Sequence, residues 1–531
     1  MPNFQSAFTR LDRYITRKIK ETHTAGIAVA VTDRKKLLGV RTYGFADVAA
    51  RKPVTPKALF EIGSIGKSFT AIALLQLHEA GKLDLHAPVT HYLPWFQVQS
   101  EHAPITVHHL LSHTSGLVRS PDITSDSRYD VYALRETETG YAPGAHFRYS
   151  DVGYRTLGFM LEEITGQSYA DVIRTRILDP LGMRATDPVI THETRRRLAV
   201  GYQRFYDDRP PHRTHPLVPA TWLETGTGDG SLASTAADMA AYVRMLLNRG
   251  QGLISEASFD LMTERVIETE GEEFYGYGLW TSEDEGHRCF NHGGGMVGYS
   301  SGLMGDLDLG LGVAVLVNET NVYGLTPYMF KLFRAAQRGG KLPPRPPAAD
   351  LFTVENAADY AGTYRAGRKT LTLTAQGKQL TLKHAGERIR LEKRGGDSFF
   401  VNHPDFALVL LRFGRADGNV VEAFHGPDWY THKRFAGPTN FDYPKEWEAY
   451  VGHYRSNSPW LSNFRVALRK GALALMYPDG IEEPVTLVKD NLFRVGEKAH
   501  WPERIRFDSL VNGQALRANL SGQDYYRAFT P

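Results

Sequence analysis

A proline-rich break divides the chain into two differently patterned parts. The stretch Gly339-Gly340-Lys341-Leu342-Pro343-Pro344-Arg345-Pro346-Pro347 reads as a semi-rigid linker. Beyond it the chain repeats itself. Tyr360-Ala361-Gly362-Thr363-Tyr364-Arg365 answers Tyr450-Val451-Gly452-His453-Tyr454-Arg455. Gly377-Lys378-Gln379-Leu380-Thr381-Leu382 matches Lys470-Gly471-Ala472-Leu473-Ala474-Leu475 in pattern, and Asp428-Trp429-Tyr430 answers Asp524-Tyr525-Tyr526. Several short alternating strands per copy predict two small antiparallel β-barrels. The expected domains are 1–340, a linker at 341–350, a first barrel at 351–440 and a second at 446–531, with Gly437–Lys445 as the join between barrels.

Before the break, strands stand at the two ends and helices between. Phe8, Leu11, Ile15 and Ile19 mark an amphipathic helix. Gly26–Thr32 and Leu37–Phe45 read as a strand and its hairpin partner. Helices are expected from Phe69 to about Ala80, at Val107–Leu111, Gly153–Thr165 and Ala236–Leu247, the last with a Thr235/Asp238 capping box. Strand signals return at Arg288–Asn291, Ser300–Gly305 and Gly310–Asn318, before a last helix at about Tyr323–Arg338. The fold class is therefore α+β, a mixed antiparallel sheet flanked by helices, with a large helical insertion.

The formal net charge of +3 gives no electrostatic case for nucleic acid or a membrane surface. Arg195-Arg196-Arg197 reads as a solvated helix face. A single cysteine, Cys289, excludes an intrachain disulfide. The start lacks the apolar core of a signal peptide, and Val313–Val317 is far too short to span a bilayer. A cytoplasmic location is the expectation.

Ser64 and Lys67 lie one helical turn apart at the start of the helix that Phe69, Ile72 and Leu75 define. A neutral lysine there can take the serine proton and free an alkoxide to attack a carbonyl. Such a base must have its pKa lowered from about 10.4 to about 7–8, by burial or by a second cation. Tyr149 and Asp151 follow on a loop ahead of the Gly153 helix. His292-Gly293-Gly294-Gly295 begins at the end of a strand, where glycines let substrate lie against backbone and an N–H can face an oxyanion.

Ser64-x-x-Lys67, Tyr149-x-Asp151 and His292-x-Gly294, in this order, resemble the three-motif set of the β-lactamase and penicillin-binding-protein superfamily. The likeness is to its class C-type branch of β-lactamases, DD-peptidases, D-aminopeptidases and carboxylesterases. Flanking words agree: Leu110-Leu111-Ser112-His113-Thr114-Ser115-Gly116-Leu117, Pro180-Leu181-Gly182-Met183 and Gly230-Ser231-Leu232-Ala233-Ser234-Thr235. The resemblance covers roughly residues 5–340. It implies Ser64 as nucleophile, Lys67 and Tyr149 as proton carriers, and the N–H groups of Ser64 and Gly295 as the oxyanion hole. His113 reads as structural. No cofactor is expected, and no metal, since the histidines show no ligand spacing.

Two departures shape the expected substrate. Asp151 stands where relatives carry asparagine; it can only accept, it pairs with Lys67, and it offers a charge to a substrate ammonium. His292 replaces a lysine and removes a positive charge, which argues against penicillins and D-Ala-D-Ala termini. The barrels look like the lipocalin-like modules of three-domain D-aminopeptidases, in which a barrel loop reaches the cleft; Pro478-Asp479-Gly480 is one candidate. The barrels as spacers or oligomer contacts is an equal reading, and homo-oligomers fit it. The expected function is a serine hydrolase of short amides, peptides or esters, D-aminopeptidase-like. A carboxylesterase is second, a weak β-lactamase or DD-peptidase third, and a non-catalytic sensor or scaffold the remaining class.

Overall fold

The computed structural model describes residues 3–122, 126–269, 271, 273–348 and 350–528. Residue 349 of the expected linker and 529–531 of the last expected domain lie outside the described residues. The chain forms two compact units. The first comprises Met1–Gln203, Leu217–Pro346 and His500–Pro502; the second comprises Arg204–Pro216, Pro347–Ala499 and Glu503–Pro531.

In the first unit, valine-rich strands form the middle of a nine-stranded sheet. Gly26–Asp33 pairs antiparallel with Leu37–Asp47 on one side and Leu311–Val317 on the other. Tyr299–Asp306, His287–Met296 and Trp280–Asp284 follow in antiparallel order. Strand alternation divides the side chains by size. Ile27, Val29, Val31, Val313 and Val315 face the N-terminal helix Phe4–Thr22 and the late helix Leu325–Gln337. Each such side chain, fully buried, contributes roughly 1.5–3 kcal/mol. Ala28, Ala30 and Ala314 face the larger helical core. Small residues there admit a close helix. A Cβ on Gly312 would meet Val243 of the helix Ala236–Leu247 at 2.3 Å. The sheet is thus covered on both faces.

The helical insertion packs around Gly66–Glu79, the helix that follows Ser64. Its residues Gly66–Leu75 and Leu77 are buried, so it runs through the core and meets solvent only in its last turn. Gly81, with φ +67°, follows its end. Thr235 caps the Ala236–Leu247 helix as expected, but the reciprocal half of the capping box is absent. Asp238 turns to the Ala185 N–H and the Thr186 hydroxyl instead. Among the described residues no helix is long and apolar enough to cross a membrane.

The second unit holds two closed antiparallel barrels of eight strands each, running from Gly362–Ala366 to Asp428–His432 and from Gly452–Arg455 to Gln523–Arg527. Closure removes exposed sheet edges. The repeat is legible in the packing. Tyr364 donates to the Tyr360 carbonyl at 3.0 Å, and Tyr454 to the Tyr450 carbonyl at 2.9 Å. Arg204–Pro216 belongs to this unit through His212, which stacks on Phe400 with ring centroids 4.4 Å apart and meets Glu392 at 3.0 Å. Gly480, of the turn expected as a cleft candidate, packs against Leu410 within the same unit.

Candidate active site

Ser64 sits in a single 3-10 turn, Gly63–Ile65, two residues ahead of the first residue of its helix. Gly63 makes the turn with φ +53°, a conformation that a side chain strains. Space forbids a side chain as well. A Cβ on Gly63 would lie 2.6 Å from the Gly295 carbonyl oxygen and 2.7 Å from its nitrogen. The residue before Ser64 and the Gly295 peptide are therefore backbone to backbone.

Lys67, fully buried, points its amine to three acceptors. Nζ donates to Ser64 Oγ at 3.1 Å, Asp151 Oδ1 at 2.6 Å and the Asp229 carbonyl at 2.9 Å. Three donors and three acceptors describe a satisfied ammonium. Burial works against that charge. The Asp151 carboxylate, with Tyr149 and Asp229, outweighs it and holds the amine above the ordinary lysine range. A lysine base needs a lowered pKa, and the sequence places Asp151 against it; the pair raises the amine, as that substitution implies. The carboxyl itself is held far below the usual range: burial pushes it up, but Lys67 and Arg119 pull it down further. Arg119 reaches its other oxygen from the exposed rim, with Nε 3.5 Å from Oδ2.

Asp151 is not on a loop. It is the first residue of the helix Asp151–Thr165, two residues earlier than the expected start. Ser150 is the cap, its hydroxyl accepting from the Gly153 N–H at 3.2 Å. A carboxylate in the first turn also faces the positive helix end. Tyr149, just outside the cap, has its ring centroid 4.9 Å from Lys67 Nζ. Burial raises its phenol above the ordinary value, opposed by the Lys67 charge.

His292-Gly293-Gly294-Gly295 corrects the sequence reading in another way. The glycines do not follow the strand; they continue it to Met296, with Gly293, Gly294 and Gly295 paired to Gly302, Ser301 and Ser300. Ser301 Oγ also donates to the Ile62 carbonyl at 2.7 Å, joining this strand pair to the Ser64 turn. His292 is buried and its ring is fully engaged. Nδ1–H donates to the Gly293 carbonyl at 2.6 Å, and Nε2 accepts from the Tyr275 hydroxyl at 3.1 Å. Burial and the Lys67 charge push its pKa down to about 3. It is a neutral imidazole.

The structure thus brings Ser64, Lys67, Tyr149 and Asp151 together beside the Gly294–Gly295 strand, with His292 behind. Four contributors escaped sequence reasoning. Arg119 and Asp229 touch the charged cluster, and Tyr275 orients His292. Arg155 ties Asp229 to Asp122 and Asp130 through contacts of 3.2, 2.9 and 2.6 Å. His113, read as structural, accepts the Ser150 N–H at 3.1 Å and lies tilted against the Tyr149 ring, the centroids 4.2 Å apart. It supports the Tyr149–Asp151 segment from below.

Comparison with known proteins gives the family. The beta-lactamase family pattern matches residues 11–338. Penicillin-binding protein 4* of Bacillus subtilis (strain 168) is 28% identical over 402 residues, covering 70% of this chain and 86% of that protein. Protein flp of Staphylococcus aureus (strain N315) is 26% identical over 329 residues, 59% of this chain and 64% of its own length. Among solved structures, the octameric penicillin-binding protein homologue from Pyrococcus abyssi aligns with TM-score 0.59 and 25% identity, over 80% of this chain and 99% of that one. EstCE1, a hydrolase with promiscuous acyltransferase activity, shares the fold at TM-score 0.54 and 22% identity, over 63% of this chain and 98% of its own. With well over half of its length matched and its serine–lysine pair in place, the chain belongs to the beta-lactamase family of serine hydrolases.

Proposed function

We propose that the chain forms an acyl-enzyme on Ser64 and cleaves short amides or peptides that carry a free amino group, with a D-configured residue preferred. The observation that carries this reading is the chain Ser64 Oγ–Lys67 Nζ–Asp151, with contacts of 3.1 and 2.6 Å. The D preference comes from the family resemblance alone.

Lys67 must lose a proton before it can take one from Ser64. In the free chain Asp151 opposes that loss. A substrate ammonium at Asp151 Oδ2, where Arg119 now lies, shares the carboxylate's charge and lowers the lysine pKa. The substrate thereby prepares its own base. An N-acetylated substrate brings no such charge. Ser64 Oγ then attacks the carbonyl carbon as its proton passes to Nζ. The N–H groups of Ser64 and Gly295 take the oxyanion, and Tyr149 delivers the proton to the leaving amine. Water, giving its proton back along the same route, releases the acid. Neutral His292 leaves its side of the site without a cation for a substrate carboxylate.

The test is a paired rate assay with Ser64→Ala as blank. D- and L-alanine p-nitroanilide are compared, each free and N-acetylated, beside a p-nitrophenyl ester and a chromogenic cephalosporin. Selective cleavage of the free D-amide is the expected result. Cleavage of the ester alone, indifferent to amine and hand, makes the protein a carboxylesterase. Failure of a serine-reactive phosphonate to label Ser64 in the folded protein removes the enzymatic reading.

A further inference from the structure

The first barrel carries a side-chain cluster that the hydrolase chemistry does not use. The strands Gln379–His384, Ser398–Val401 and Asn419–His425 alternate with antiparallel neighbours, so they run the same way and end at one rim. Leu380 and Leu382 of the first point into the barrel core, and His384 is next in that alternation. Phe399 and Val401 of the second do likewise, and His403 lies two residues on. Both imidazoles converge on Asp405. His384 Nε2 is 2.6 Å and His403 Nδ1 3.8 Å from Asp405 Oδ2, and the rings are 4.8 Å apart. Among the described residues, this is the group of three such side chains whose ligand atoms all lie within 4.8 Å of one another.

The barrel itself does not require these residues. In the second barrel, Leu473 and Leu475 repeat Leu380 and Leu382, and Phe493 and Val495 repeat Phe399 and Val401. The positions answering His384, His403 and Asp405 hold Tyr477, Glu497 and Ala499. That barrel closes with eight strands of its own. A second feature marks the same rim. His425, ending the third strand, has a buried Nε2 with no hydrogen-bond partner. Phe406 lies between, its ring 5.0 Å from His384 and 4.7 Å from His425.

We propose that His384, His403 and Asp405 bind a zinc-type divalent transition ion at this rim, with water completing the coordination. Two imidazoles and one carboxylate suit zinc, and are a poor set for calcium or magnesium, which take oxygen ligands. Zinc–ligand bonds of about 2.0–2.2 Å need donors roughly 3.3 Å apart. His384 and Asp405 must separate slightly and His403 must approach. Asp405 is well placed to move, since its side chain is 63% exposed. The ion would take the His403 Nδ1 lone pair that now accepts the Asp405 N–H at 3.1 Å, replacing a turn cap with a metal bond. It would clamp the segment after Val401 to the end of the strand Gln379–His384.

The experiment uses the full chain, stripped with EDTA and dialysed against zinc chloride, with bound metal counted and affinity measured by titration. One equivalent is expected, and cobalt in its place should give the visible bands of a low-coordinate nitrogen–oxygen site. His384→Ala and His403→Ala should each weaken binding on the order of 100-fold. Asp405→Asn, a change at an exposed carboxylate, should weaken it too while the far-ultraviolet dichroism stays as in the parent. Absence of a stoichiometric ion in the parent overturns the proposal. So does an ion retained equally by the folded Asp405→Asn and histidine variants, which would place it among other histidines.

Discussion

The two walls of the candidate site are built from different materials. One wall, Ser64 with Lys67, Tyr149 and Asp151, works through side-chain charge held in the dark of the core. The other, His292–Gly295, works through backbone, and its one titratable group is kept neutral. The first should be sensitive to chemistry and indifferent to a methyl group. The second should be the opposite.

Lys67→Met probes the charged wall most severely. It removes the proton carrier, cancels the Ser64 contact and leaves Asp151 facing apolar surface. Loss of about 10³–10⁴ in kcat/KM is expected, measured on the best substrate of the paired assay. Retention of activity within tenfold would move the base to another residue.

Gly294→Ala probes the backbone wall. Its Cβ would stand 1.9 Å from the Ile62 carbonyl oxygen and 2.3 Å from Ser301 Oγ, so the strand must back away from the Ser64 turn. The expected cost resembles that of a lost oxyanion donor, about 10²–10³ in kcat. Gly293→Ala is the control. Its Cβ would meet nothing closer than 3.9 Å, and kcat should stay near the parent value. If both alanines act alike, backbone proximity is not what the glycines provide.

Asp151→Asn separates charge from shape. With the carboxylate present, Lys67 is held above its ordinary range, so the rate should climb with pH well into the alkaline region. Removing the carboxylate lowers the lysine pKa and should move that limb of the kcat/KM profile down by roughly 1–3 pH units. The same variant should lose its preference for free over N-acetylated amines. An unmoved limb would show that Lys67 does not set it.

These contrasts also explain what could be read in the sequence. The sheet strands, the serine helix and both barrels were legible because alternation and periodicity survive in Val, Ile and Leu runs such as Gly26–Thr32 and in the tyrosine-marked repeat. Ser64, Lys67, Tyr149 and His292 carry motif spacing. Arg119, Arg155, Asp229 and Tyr275 carry none. Arg119 and Asp229 come from loops, Tyr275 from a strand and Arg155 from the Asp151 helix, and only the folded chain sums their charges. The glycines His292–Gly295 introduce were misread as a strand end because glycine ordinarily weakens strands. Here the neighbouring strand and the Ser64 turn need the space that side chains would fill.

The last expected effect is on stability rather than rate and concerns a second buried carboxyl, three residues before Ser64. Glu61, in the strand Phe60–Glu61, is 4% exposed, and burial pushes its pKa up to about 8. Asp151 is held down by two cations; Glu61 has no such pull and stays protonated at neutral pH. The sign of its effect on stability follows. The folded chain holds this proton more tightly than the unfolded chain, whose value is 4.5. Stability from Glu61 is therefore full below that value and is lost as pH rises toward about 8. Glu61→Gln keeps the shape of the protonated acid and removes the titration. The variant should match the parent near pH 4.5 and exceed it above pH 8, by on the order of a few kcal/mol. Urea denaturation midpoints at the two pH values would read the difference. Parallel pH dependence in parent and variant would mean that Glu61 is ionised in the fold.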